Sequence, residues 1–253
     1  MTRTLGIIII TSFFRTGVHA QRIVSDSVIA TPWVSVQYGI NWTAGDLNER
    51  LGILNHVGVF LGWKTAKNWV YGVEGSFMFG NDVRVTGLLD HLMDSKGNIT
   101  DVNGDIATVR ILSRGFHVNG AVGKIFPVLS PNKNSGIYVN MGLGYVAYKL
   151  RIETQDHVVP QIELDYKKGY DRLTSGLNAH QFLGYTYMAN RGAINFYGGF
   201  YIQEGFTYNR RTIFFDQPDT PVPTAMRLDV QYGLKVGWVI PIYKRVPKAF
   251  YYN

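Results

Sequence analysis

The sequence predicts an all-β fold, an eight-stranded antiparallel up-and-down transmembrane β-barrel, and three observations predict it. From Met226 to Ile240 the chain alternates without a break. Met226, Leu228, Val230, Tyr232, Leu234, Val236, Trp238 and Ile240 take one side; Arg227, Asp229, Gln231, Gly233, Lys235 and Gly237 take the other. Side chains in a strand point to opposite faces with period two, so such a segment suits a wall between an apolar and a polar medium. The composition agrees: 28 Gly, 16 Tyr, 14 Phe and 5 Trp, with only 17% of residues charged, suit glycines on a crowded lumen and aromatics at two interfaces. The connections between alternating segments are long and short by turns, as in barrels with long outer loops and short periplasmic turns.

The first strand is read over residues 33–42, with Val34, Val36, Tyr38, Ile40 and Trp42 on the apolar face. The second, 53–63, sets Val57, Val59, Leu61 and Trp63 against His56, Gly58 and Gly62. The third, 69–80, sets Trp69, Tyr71, Val73, Phe77 and Phe79 against Gly72, Glu74, Ser76 and Gly80. A long polar segment follows over 81–105. The fourth strand, 108–125, alternates least well, because Arg114 shares a side with Leu112, Phe116, Val118 and Val122. The fifth, 137–152, starts with Ile137, Val139, Met141 and Leu143 on one face and ends with Leu150 and Ile152 on the other. A β-bulge is expected between them. The sixth, 173–187, turns Leu177, Leu183, Tyr185 and Tyr187 outward with Gln181 as a misfit, and the seventh, 193–206, does the same with Ile194, Phe196, Phe200 and Ile202. The eighth is the run that ends at Ile240.

Alternation does not distinguish inside from outside. A soluble lipocalin-like barrel would turn its apolar face inward. An eight-stranded lumen is narrow, and the less apolar face here is rich in Gly, Ser and Asn. The bulky residues are therefore placed outside, against lipid.

Residues 1–20 have the layout of a signal peptide. Arg3 gives a positive start, Leu5 to Phe14 a ten-residue apolar run, and Val18-His19-Ala20 small residues at −3 and −1 before Gln21. That run is too short to span a bilayer as a helix. Residues 21–31 are read as an N-terminal periplasmic segment, 32–243 as the barrel and 244–253 as a basic, aromatic periplasmic tail. The charge of +7 includes Arg3 and Arg15; their removal leaves 23 basic against 18 acidic residues, a net +5. The basic residues are scattered and a leader would export the chain, so no nucleic-acid partner is expected. Cysteine is absent, and oxidative folding is not needed.

Few residues carry chemistry. Glu74 and Lys235 both fall on lumen faces, and an unpaired charge there is costly. A pair between them would cross the lumen and stiffen the barrel. His56, His117 and His180 lie on the polar side without His-x-His spacing, which suits hydrogen-bonded lumen histidines better than a metal site. Asp101 to Asp105 briefly resembles a calcium loop, but its sixth position is Ile106 and its twelfth Leu112, so it is read as an outer turn. No Gly-x-Ser-x-Gly elbow or nucleotide loop occurs. No catalytic residue, cofactor or metal is therefore expected. Tyr170, Asp171 and Arg172, in a long loop, are the expected contact surface. In the tail, Lys244, Arg245 and Lys248 with Phe250, Tyr251 and Tyr252 suit docking to a partner or to anionic headgroups.

Gly233-Leu234-Lys235-Val236-Gly237-Trp238 resembles the Gly-x-x-Φ-x-Φ pattern by which barrel-assembly machinery recognises a last strand. Across 32–243 the overall plan resembles the small outer-membrane barrels: the OmpA transmembrane domain, OmpX and OmpW. Gly169-Tyr170-Asp171-Arg172-Leu173-Thr174 and Asn195-Phe196-Tyr197-Gly198-Gly199-Phe200 resemble phrases of Bacteroidota outer-membrane barrels. The resemblance implies a bacterial outer-membrane location in contact with outer-membrane lipid. It brings no catalytic residues. The expected role is structural or interactive, as an accessory subunit of an envelope secretion or assembly machine with a protein partner there, or as a surface protein acting through its loops. A small transport channel of the OmpW type is the alternative.

Overall fold

The computed structural model describes residues 28–189 and 194–242. The signal peptide, most of the 21–31 segment and the tail with Lys244, Arg245 and Lys248 lie outside the described residues. Among the described residues ten strands follow in chain order: β1 (Thr31–Gly45), β2 (Leu54–Lys64), β3 (Trp69–Gly80), β4 (Ile99–Thr100), β5 (Ile106–Ala107), β6 (Val109–Phe126), β7 (Gly136–Thr154), β8 (Thr174–Met188), β9 (Asn195–Asn209) and β10 (Arg227–Pro241). β4 and β5 form a small hairpin within a loop; the other eight close into one antiparallel barrel, each paired with its chain neighbours and β1 with β10.

The register fixes the size of the barrel. Paired residues followed around the wall run Gly45, Asp229, Gly205, Asn178, Gly144, Asn119, Glu74, Phe60 and back to β1 at Ser35. The path returns ten residues below its start. A stagger of that size over eight strands tilts them by roughly 40° and leaves an interior that side chains just fill. At that tilt the ten steps from Leu228 to Trp238 climb about 25 Å, the height of the apolar band of an outer-membrane barrel.

The faces sort as a membrane wall requires. Val36, Tyr38, Ile40, Val57, Val59, Leu61, Phe77, Met141, Leu143, Leu183, Phe200, Leu234 and Val236 are exposed, whereas Ser35, Gln37, Asn41, Asn119, Asn140, Asn178 and Gln231 are buried inside. This is the reverse of a soluble lipocalin. Trp63, Trp69, Tyr71 and Trp238 ring the end with the short turns, and Lys124 lies 4.8 Å from the Trp69 ring centre. Trp42, Tyr145, Tyr232 and Phe206 ring the end with the long loops. Gln181, the misfit of the sixth segment, does point outward, and its Nε2 donates to Glu204 Oε2 at 3.2 Å.

The expected β-bulge is corrected. β6 and β7 pair without interruption from Val109↔Thr154 to Phe126↔Ile137. Leu150 and Ile152 point inward like every other even residue of β7, and both are buried. What changes is the surroundings. Above the apolar belt the outside of the wall is water, so Lys149 and Arg151 face out, and the inside is a core covered by loops. For the same reason β1, β7 and β9 run two or three residues past their expected ends at the loop side, while β2, β6, β8 and β10 are each shifted by one residue.

Two apolar clusters fill the ends of the barrel. Near the short turns, Trp33, Phe60, Val70, Ile125, Tyr138, Phe182, Met188, Tyr197, Tyr201 and Val239 pack together. Near the long loops, Leu47, Leu51, Leu54 and Leu88 pack with Tyr148, Leu150, Ile152, Val159, Ile162 and Tyr170. Aromatic rings of this number fit because glycines make room on the wall. Gly62 and Gly72 face each other across the β2–β3 ladder, and a Cβ on either would stand 2.7 Å from the Phe60 ring.

Two outcomes are expected from this packing. Leu143→Arg, on the lipid face at mid-height, lowers the folding free energy into lipid vesicles by about 2–4 kcal/mol in urea titrations. An unchanged midpoint would contradict the sidedness of the wall. Gly72→Val, which forces a Cβ against Phe60 and the Leu61 carbonyl, costs about 1–3 kcal/mol in the same titration.

Candidate functional site

The middle of the lumen is a polar network assembled from all eight barrel strands. Glu74 on β3 and Lys235 on β10 meet across it, with Lys235 Nζ 2.8 Å from Oε1 and 3.1 Å from Oε2. The two strands are not neighbours; the narrow bore lets the long side chains reach each other. His117 Nε2 on β6 lies 3.1 Å from Glu74 Oε1, and the Lys235 ammonium lies over the Tyr201 ring at 3.7 Å. Both charges are buried, at 3% and 5% exposure. An ion pair this deep persists only with added hydrogen bonds and close geometry, and the histidine and the ring supply them.

The expected histidines join the same layer. His56 Nε2 is 2.9 Å from Gln231 Oε1 and 3.2 Å from Asn41 Nδ2. His180 Nε2 is 2.9 Å from Asn140 Oδ1, and the His56 and His117 ring centres are 5.3 Å apart. Asn119, Asn178 and Gln203 add buried amide atoms without a protein partner. Native proteins satisfy such groups with internal water. Below this layer Tyr197 Oη donates to Gln37 Oε1 at 2.8 Å, and Gln37 Nε2 to Ser76 Oγ at 3.1 Å. Only about 10 Å³ remains open among Trp33, Phe60, Glu74, Tyr138, Phe182 and Lys235. The end with the short turns is sealed as well: Lys64 Nζ, fully buried, donates to Ile29 O at 2.9 Å and to Asn134 Oδ1 at 2.8 Å.

At the other end the long connections fold over the mouth. The residues expected to form its contact surface divide. Tyr170 is buried, its hydroxyl 2.7 Å from His91 Nε2 and its ring edge-on to Phe215. Asp171 is buried too and accepts from Arg211 Nε at 2.8 Å and Nη2 at 2.6 Å; its backbone carbonyl accepts from Leu150 N. As contact residues these two are corrected: loops that roof a barrel need an interior of their own, and Tyr170 and Asp171 supply it. Arg172 alone faces open space. It lines a cavity of about 430 Å³ with Arg50, Arg84 and Arg227, held in left-handed backbone at φ 49°. Non-glycine residues rarely take that conformation, which costs of order 1 kcal/mol or more. The Asp216 carboxylate 2.5 Å from Arg172 Nη2 and the Phe214 ring 3.6 Å from its guanidinium hold it there.

Arg50 and Asp229 were not singled out in the sequence. Arg50 Nη2 lies 2.6 Å from Asp229 Oδ1, and the other carboxylate oxygen accepts from the Tyr148 and Thr207 hydroxyls. The available signal was Asp229 itself, an acid on the lumen face of the most regular strand. Asp101 takes its turn role: Oδ1 accepts from Asn103 N at 2.8 Å and Asp105 N at 3.0 Å, and Oδ2 lies 3.1 Å from His157 Nδ1. Among the described residues no group of three or more His, Cys, Asp or Glu is placed to hold a metal ion.

No family model matches the chain, and no curated protein matches it in sequence. Solved structures with a similar outline include Neisserial surface protein A, at 9% identity and TM-score 0.40 over 83% of this chain and 98% of that one. Ail of Yersinia pestis is similar at 12% identity and TM-score 0.36, over 83% and 99%. The N-terminal β-barrel domain of Pseudomonas aeruginosa OprF is similar at 10% identity and TM-score 0.36, over 84% and 100%. The eight-stranded closure stands on the chain's own register.

Lys235→Met strands the Glu74 carboxylate inside the barrel and is expected to cost about 3–5 kcal/mol of folding free energy. Adding Glu74→Gln restores most of it, because no buried charge is left alone. Equal losses in the single and double variants would show that the pair does not carry the lumen.

Proposed function

We propose that this chain is a non-enzymatic β-barrel of the bacterial outer membrane with a structural or interaction role, and that its working face is the loop-built outer end. One observation carries the reading. Apolar clusters close both ends of the lumen around the polar layer at its middle, and at the outer end the long connections pack onto the barrel strands as a roof, Leu47, Leu88, Val159, Ile162 and Tyr170 against Leu54, Tyr148, Leu150 and Ile152. A barrel with a blocked bore and an elaborated rim suits contact better than conduction, and binding surfaces sit preferentially on loops held by a rigid scaffold. The apolar belt and the two aromatic rings support membrane insertion. The orientation follows from loop length, with long connections outside and short turns toward the periplasm.

The polar lumen residues support a scaffold role in place of catalysis. Glu74, Lys235 and His117 engage one another, and the routes to them are closed by Phe60, Tyr138 and Phe182 at one end and by Leu51, Tyr148 and Leu150 at the other. Service as an accessory subunit of a secretion or assembly machine is the finer form of this reading. Its partner would meet the loop layer or the periplasmic face.

Purification of the tagged protein from native membranes is expected to bring down a stoichiometric envelope partner, and the barrel in planar bilayers is expected to give no steady single-channel steps. Regular conductance steps of constant size would replace this reading with the small transport channel.

A further inference from the structure

The cavity at the loop end is lined by four arginines, Arg50, Arg84, Arg172 and Arg227, and one acid, Glu49. A guanidinium carries five N–H donors in a planar fork that fits carboxylate, phosphate and sulfate oxygens. Here the protein uses few of them. Arg50 gives Nη2 to Asp229 and a long bond from Nε to Asp46 O. Arg172 gives Nη2 to Asp216, and Arg227 gives Nη2 to Thr174 Oγ1. Among the described residues no acceptor meets Nη1 of these three, and Nε of Arg172 and of Arg227 is buried without a partner. Donors left this way are costly, which makes them unusual in native structures.

The counter-charges stand behind or beside the cavity: Asp229 and Asp216 are each 3% exposed and do not line it, and Asp82 lies 3.7 Å from Arg84, so the charged groups that line it are four guanidiniums and Glu49. The guanidiniums also crowd one another. Burial pushes the Arg172 group below its ordinary value against the pull of Asp216, and Arg227 and Arg50 push it further the same way. An anion between them would relieve that repulsion. One wall is different in character: Pro221 and Pro223 line it beside Gln217 and Asn209, whose amide donates to Pro223 O, while the Phe214 ring is covered by the Arg172 guanidinium. The proline rings beside the Gln217 amide suit the C–H groups and hydroxyls of a polyol. Beneath the arginines Leu51, Tyr148 and Leu150 close the way into the lumen. The cavity is a dead end, able to hold an anion and not to pass it.

The geometry points to a binding site for a compact polyanion, a sugar or other polyol bearing several phosphate or sulfate esters, captured from the solution outside the membrane. A free solute fits better than the headgroup of a neighbouring lipid. Arg50 and Arg172 keep only 17% and 13% side-chain exposure and stand within the ring of strands and loops, which separates them from the lipid. The assignment rests on the loop end being the working face and adds the class of ligand it takes.

The probe is inositol hexakisphosphate, titrated calorimetrically into the purified full-length barrel in detergent free of lipopolysaccharide, with inositol as the neutral control. Saturable binding of the phosphate, weakening as salt is raised, and no binding of inositol are expected. Arg84→Gln with Arg227→Gln is expected to weaken binding at least tenfold. Arg114→Gln, on the outer wall, is expected to leave it unchanged. Arg84→Gln alone, which disturbs only exposed contacts to Asp82 and Asn48, reports on the site if the double variant fails to fold. It should weaken binding several-fold. Failure of the native barrel to bind the probe, or equal affinity in native protein and Arg84→Gln, would overturn the assignment. Displacement of the probe by lipopolysaccharide at equal phosphate concentration would overturn the free-solute source. A native barrel that holds the probe but brings down no partner would sink the interaction reading and leave this one standing.

Discussion

A backbone crossing hydrocarbon has no water to bond its N–H and C=O groups, so each must find a partner in the chain. β10 answers that requirement by pairing with β1 from Trp33↔Pro241 to Gly45↔Asp229, which leaves no strand edge in the lipid. Much else in the molecule follows from this closure. Eight strands with a stagger of ten residues can enclose only a narrow bore, so the inward positions cannot all be large. Where a ring such as Phe60 points inward, glycines on the adjoining ladder give way to it.

A narrow bore also decides what charges may do inside it. Glu74 and Lys235 sit on strands that do not touch, yet their side chains span the lumen and meet. In a wider barrel the same two residues would face water and titrate separately. Here they form part of a plug, with His117 and Tyr201 completing their contacts. The chemistry left to the molecule is thereby displaced to its rim. There Asp171, Tyr170 and His91 tie the loops together, and Arg50, Arg172 and Arg227 retain donors that no other side chain among the described residues takes up.

The surroundings of the wall change with height, and the sequence pattern changes with them. Along β7 the inward face is Tyr138 and Asn140 low down, Gly142 and Gly144 at mid-height, and Leu150 and Ile152 above. The outward face passes from Val139, Met141 and Leu143 to Lys149 and Arg151. A single regular strand thus reads first as apolar-out and then as apolar-in. A period-two pattern records which residues share a face but not what medium that face meets, and for that reason the phase change resembled a bulge. Gln181 and Glu204 show a milder case. They interrupt the apolar belt on neighbouring strands, and their side chains bond to each other.

The sequence by itself determined the number of barrel strands, the outward face of the apolar belt, the sidedness of the wall and the lumen position of Glu74, Lys235 and the three histidines. All of these follow from local alternation and from the sizes of the side chains. Only the tertiary structure decided that Glu74 meets Lys235, that Tyr170 and Asp171 turn inward, and that arginines from four separate stretches gather around one cavity. Those outcomes depend on shear, bore and loop packing, which join residues far apart in the chain, and no local period encodes such distances.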